Sequence, residues 1–187
     1  LATEKNLDLE KLSKRNANEI SLINTLGLDA DKAKKALAIA ETAGENAEQA
    51  LQFARDRKMD LNRLAARSAN EISLLANIGV DDAKAEKALG IAEIGGEIGL
   101  NLGKDRKLDL DRLAARTKNE MVLLSTIGVD DAKAEKALSV AEKVGEAGLQ
   151  LAQDVENLDI AQLDTFISIE STRGLLIATL VITNPVV

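Results

Sequence analysis

The stretch MDLNRLAARSANEISLLANIGVDD, residues 59–82, decides the fold. It opens on Met59-Asp60, with Leu64 one helical turn further on. Aspartate is a favoured helix N-cap because its carboxylate accepts from the exposed N–H groups of the first turn. Met59 and Leu64 then occupy the N′ and N4 positions of a hydrophobic staple. Leu61, Leu64, Ala65, Ala69, Ile72, Leu75 and Ile78 keep helical spacing through the stretch. Gly79 is placed to end this helix in the left-handed C′ conformation. Asp81 caps a second helix after so short a turn that the pair is expected to form an antiparallel hairpin.

Outward from this stretch the pattern recurs. Asn70-Glu71-Ile72 matches Asn18-Glu19-Ile20 and Asn119-Glu120-Met121 at steps of 52 and 49. The same steps relate Gly27, Gly79 and Gly128, and also Ala36-Leu37, Ala88-Leu89 and Ala137-Leu138. Staples open at Leu7-Asp8 and Leu108-Asp109, and once more at Leu158-Asp159. Self-similarity at a fixed period is the signature of repeat architectures. The expected fold is all-α: tandem helical-hairpin repeats of about 50 residues, stacked as an α-solenoid or an elongated bundle. The repeats span 1–56, 57–105 and 106–156, followed by a partial fourth at 157–174 and an apolar tail at 175–187. The second helices are expected at 31–55, 82–104 and 131–154. In the fourth copy Ile160, Leu163 and Ile167 mark the buried face.

The tail departs from the pattern. Leu175-Leu176-Ile177-Ala178-Thr179-Leu180-Val181-Ile182-Thr183 carries no charge and is rich in β-branched residues. Such a run reads as a strand buried on both faces, with a buried helix as the alternative, and it is too short to span a bilayer. A strand in an otherwise helical chain finds ladder partners only in another chain, by strand addition.

Composition bounds the chemistry. The chain has no His, Cys, Trp or Tyr and only two Phe, Phe53 and Phe166. It therefore lacks the usual general base near neutral pH, the thiolate nucleophile and the nitrogen and sulfur ligands of zinc. No enzyme activity, cofactor or metal is expected, and no small-molecule substrate. The net charge of -7 argues against nucleic acid, which selects basic faces. No apolar stretch reaches the length of a membrane span, so no membrane partner is expected.

Small residues recur along the second helices, most plainly Gly95, Gly99 and Gly103. Glycine inside a helix costs about 1 kcal/mol relative to alanine, so three in a stripe imply close approach of another helix, from the same chain or from a second subunit. Basic residues (Arg55, Arg57, Lys58, Lys104, Arg106, Lys107) stand where the second helices end, and Asp29, Asp31, Asp81, Asp82, Asp130 and Asp131 where they begin. This places the two signs at opposite ends of each hairpin, as dipole compensation or as complementary edges of stacked subunits. The Arg-x-x-Asn-Glu groups at Arg15, Arg67 and Arg116 suggest a salt-bridged stripe between neighbouring repeats. The paired aspartates lack the loop of a calcium site and read as caps.

The function expected from these features is structural. The chain would be a self-assembling subunit of a filament, sheath or surface layer, whose partners are copies of itself. Its contacts would be Leu175, Leu176, Ile177, Leu180, Val181 and Ile182 in the tail and the glycines at 95, 99 and 103. The alternatives are a helical-repeat scaffold or adaptor that binds another protein, and a membrane-active helical protein. The start at Leu1 and the Cys-free composition point to an extracellular or cell-surface site, with the cytoplasm as the alternative.

Overall fold

Every regular element in the computed structural model, which describes residues 2–154 and 159–170, is helical. In chain order these are α1 (Ala2–Lys5), α2 (Leu9–Ser13), α3 (Ala17–Leu26), α4 (Ala30–Ala43), a 3-10 turn (Gly44–Asn46) and α5 (Ala47–Asp56). They continue with α6 (Leu61–Ala65), α7 (Ala69–Ile78), α8 (Asp82–Asp105), α9 (Leu110–Ala114), α10 (Lys118–Ile127), α11 (Asp131–Asp154) and α12 (Ile160–Glu170). The chain divides into two compact units between Ala92 and Glu93, inside α8.

The staples form as the sequence implies. The Asp8, Asp60 and Asp109 side chains accept from the backbone N–H of Glu10, Asn62 and Asp111 at 2.9, 2.7 and 2.9 Å. These three short helices then stop, where one long first helix was expected. Asn16, Ser68 and Thr117 start new helices by accepting from the N–H of Glu19, Glu71 and Glu120. At Ser68 and Thr117 the glutamate reaches back to complete a capping box. Their side chains stabilise a fresh helix start more than continuation of the old one, so the backbone turns.

The second helices are also broken. Gly44, Gly96 and Gly145 take φ of 56°, 57° and 65°, with ψ of −119°, −144° and −155°. This region is open to glycine and closed to residues with a Cβ. In the first unit α5 consequently turns back to pack on α3 and α4.

Gly27, Gly79 and Gly128 end α3, α7 and α10, yet they are not left-handed. Their φ/ψ values are −82/63°, −77/58° and −79/60°, the inverse γ-turn. The diagnostic bonds run from the N–H of Leu28, Val80 and Val129 to the carbonyls of Leu26, Ile78 and Ile127. Glycine is required there by proximity. A Cβ on Gly27 would lie 2.6 Å from the Ala33 Cβ, and one on Gly79 or Gly128 within 2.9 Å of Ala85 or Ala134.

The left-handed residues are instead Asn6, Lys58 and Lys107, at φ of 51–54°. Lys58 N–H donates to the Arg55 carbonyl and Met59 N–H to that of Ala54, the two bonds of a Schellman motif. A non-glycine residue in this conformation carries roughly 1–2 kcal/mol of strain. Lys58→Gly is therefore expected to stabilise the first unit by about 0.5–1 kcal/mol, read as a rise in the urea midpoint at unchanged slope.

Alanine and aliphatic residues make the core. Ala33, Ala36, Leu37, Ile39 and Ala40 are buried along α4, and Ala85, Ala88, Leu89, Ile91 and Ala92 repeat the pattern in α8. Ala134, Ala137, Leu138, Val140 and Ala141 repeat it in α11. Small side chains bury little area each, at about 25 cal/mol per Å², and they compensate by letting helices approach closely.

The α12 helix follows its expected face: Ile160, Leu163 and Ile167 are buried, at 5, 2 and 2% exposure, in a helix packed on α11. It runs on past the point where α2, α6 and α9 stop. The chain there has Thr165-Phe166-Ile167, with no capping side chain to restart it. The expected tail at 175–187 lies outside the described residues, as do its contacts Leu175, Leu176, Ile177, Leu180, Val181 and Ile182.

Candidate functional site

The Arg-x-x-Asn-Glu groups act within each copy rather than between copies. Arg15, Arg67 and Arg116 donate through Nη1 to the carbonyls of Ala40, Ala92 and Ala141 at 3.0, 3.1 and 3.0 Å. Each also faces the glutamate four residues on, at 3.5, 3.9 and 3.6 Å. The carbonyls lie one turn before the glycine breaks, where a helix C-terminal region attracts a cation. Spacing along one helix shows the Arg–Glu pair, but the carbonyl partner 25 residues away becomes visible only with the hairpin folded. Glu19 and Glu120 are buried, so these groups tie α3 to α4 and α10 to α11 from inside.

The charged clusters are not at opposite ends. Because the chain turns back at Gly44, Asp29 and Asp31 line one open hollow of about 650 Å³ together with Arg55 and Lys58. Arg57 approaches Asp82 at 3.8 Å and Lys107 approaches Asp131 at 3.6 Å. Asp29, Asp81 and Asp130 each cap a helix, accepting from the N–H of Lys32, Lys84 and Lys133 at 2.8 Å. The Lys32 N–H holds the Asp29 carboxyl below its ordinary value. Among the described residues no group of three or more acidic side chains could hold a metal ion.

The small-residue stripe is filled from within the second unit. A Cβ on Gly95 would meet the Met121 Sδ at 2.1 Å, and one on Gly103 would meet the Leu110 Cδ2 at 2.8 Å. Gly99 is buried.

The second unit also holds two ion-pair centres. Arg112 grips Glu142 through Nε and Nη2, both at 2.7 Å, and also pairs with Glu135. Its hydrogen bonds hold the Glu142 carboxyl below the usual range. On α12, Asp164 is buried and receives the Lys143 ammonium at 2.8 Å and that of Lys136 at 3.5 Å. Burial pushes this carboxyl up, but hydrogen bonds from Lys143 and Ser139 and the lysine charge together bring it below its ordinary value. A carboxyl depressed in the folded state contributes stability above its unfolded pKa of about 3.9, lost as pH falls through the folded value. Asp164→Asn is expected to cost about 2 kcal/mol at pH 7, with the difference from the parent chain shrinking below about pH 4. Urea melts at the two pH values check both.

Aliphatic side chains stand exposed at Leu9 of α2, 71% exposed, and at two further kinds of place. Leu28, Val80 and Val129 follow the turn glycines and are 74, 59 and 56% exposed. Ile94, Ile98 and Val122, in the second unit, are 41, 39 and 40% exposed. Among the described residues no helix is long and apolar enough to cross a membrane.

These features define an all-α protein whose polar clusters are used in capping and in tying helices together. No family model, curated protein or solved structure matches the chain.

Proposed function

We propose that this chain is a structural subunit that assembles with copies of itself into a filament, sheath or surface layer, its copies built as stacked helical repeats. The observation that carries the reading is the uncharged run from Leu175 to Thr183, which follows a helix whose own apolar residues Ile160, Leu163 and Ile167 are buried. That helix, α12, packs on α11. A run of this kind, left on a single small subunit, exposes more contiguous apolar surface than soluble monomers carry. Leu175, Leu176, Ile177, Leu180, Val181 and Ile182 would couple one subunit to the next. Gly95, Gly99 and Gly103 would support the assembly by keeping α8 close to its neighbours. An extracellular or cell-surface site belongs to the same reading.

An adaptor reading has one observation in its favour. Open hollows occur at matched places, about 650 Å³ beside Leu26 and Leu61 in one unit and about 580 Å³ beside Ile127 and Ile160 in the other. Such hollows could seat a peptide of another protein.

Light scattering with negative-stain electron microscopy separates the two, comparing the full chain with one ending at Gly174. Ordered polymers from the full chain, absent after truncation, are the expected result. Two monomers of equal behaviour at every concentration would rule out assembly through the tail.

A further inference from the structure

The second unit carries one exposed apolar face that its own helices leave open. Gly95 lies against Met121, which brings their neighbours Ile94 and Val122 into one locality. Ile98 shares a hollow of about 180 Å³ with Asn101, Leu102, Asp105, Arg106 and Ser125. Ser125 Oγ donates to the Val122 carbonyl at 2.7 Å, so the hollow and Val122 belong to the same stretch of α10.

This face departs from the chain's own pattern. At the sequence steps of 52 and 49, Ile94 corresponds to Thr42 and Lys143, and Ile98 to Asn46 and Ala147. Val122 corresponds to Ser21 and Ser73. Where the corresponding positions present hydroxyl, amide, ammonium or a single methyl, this face, built from the second copy (Ile94, Ile98) and the third (Val122), presents three β-branched aliphatic side chains. The exposure is thus local to one face of the second unit rather than a general property of the repeat.

At its edge stand two opposite charges. Asp105 and Arg106 both line the hollow, and neither makes an ion pair or side-chain hydrogen bond among the described residues. An aliphatic centre with one unpaired acid and one unpaired base beside it is complementary to itself. A two-fold contact places residue i of one subunit against residue j of the other and the reverse. Arg106 of each subunit can then face Asp105 of its mate while Ile94, Ile98 and Val122 meet across the axis, an apolar centre with a polar rim.

We propose that the face formed by Ile94, Ile98 and Val122, with Asp105 and Arg106 at its edge, is a two-fold contact between two copies of this chain. The contact is separate from coupling through the tail. A subunit with two such independent contacts can extend an assembly, whereas either alone gives a dimer or a single kind of link.

Because the chain has no cysteine, a single one reports the contact in the full-length protein. Val122→Cys is expected to give a covalent dimer with a short bismaleimide, in higher yield than Thr25→Cys at an exposed site of the first unit. Adding Ile98→Lys to Val122→Cys is expected to weaken association about tenfold or more. Asp105→Arg is expected to lower the yield, and Asp105→Arg with Arg106→Asp to restore it, since the swapped pair is again complementary. Circular dichroism melts confirm that each variant folds. Equal yields at positions 122 and 25, a yield unmoved by Ile98→Lys, or no recovery in the swapped pair would each overturn the proposal. Absence of polymers from the full chain while the position-122 dimer forms would count against the tail coupling and leave this contact standing, whereas polymers lost only on truncation after Gly174, with the dimer kept, support both.

Discussion

Gly128→Ala is expected to destabilise the second unit by about 3 kcal/mol, although it adds one methyl group and leaves φ in an ordinary region. The new Cβ would stand 2.7 Å from the Leu124 carbonyl oxygen and 2.8 Å from both Cα and Cβ of Ala134. Two of these atoms are backbone, so relief requires α10 and α11 to move apart. That motion loosens the buried row of Ala134, Ala137, Leu138 and Ala141. The informative comparison is Gly90→Ala. Gly90 is in the interior of α8, and a Cβ there meets nothing within 4 Å, so alanine is expected to stabilise by about 0.5–1 kcal/mol. The same substitution thus changes sign according to what lies above the glycine. Urea unfolding of both variants tests this, and equal effects would mean that helix propensity alone governs these positions.

The second large effect falls on the internal arginines. Arg116→Ala is expected to cost about 3 kcal/mol. It removes the donor to the Ala141 carbonyl and leaves Glu120, 6% exposed, without its cation. Most of that loss is the penalty of a buried charge left unpaired rather than the net worth of the pair. Arg116→Met with Glu120→Met is accordingly expected to lie much closer to the parent chain than Arg116→Ala does. A double-mutant cycle by chemical denaturation measures the coupling, and additive losses would show that the two groups do not act together.

The helical class, the staples and the buried face of α12 were legible because each depends on residues within one or two turns. Asp60 caps its helix from the next residues, and Ile160, Leu163 and Ile167 share a face at ordinary helical spacing. The restarts at Ser68 and Thr117 were also written in the sequence, as Ser68-x-x-Glu71 and Thr117-x-x-Glu120, but the long apolar periodicity across them hid the signal. Gly44, Gly96 and Gly145 recur at the same steps as the other repeat residues. Glycine at a helix break and glycine at a close helix contact nevertheless look alike in a sequence, and Gly95 beside Gly96 shows both uses side by side. The partners of Arg15, Arg67 and Arg116 were not legible, because a backbone carbonyl 25 residues away carries no side-chain signature. The meeting of the charge clusters was not legible for a related reason: the turn at Gly44 reverses the chain, and no local pattern encodes that reversal.

Sedimentation velocity of the full chain over a wide concentration series tests self-assembly itself. Species heavier than a dimer of the 19.9 kDa chain are expected, with their share growing as concentration rises. A single species at the monomer mass across the whole series would contradict it.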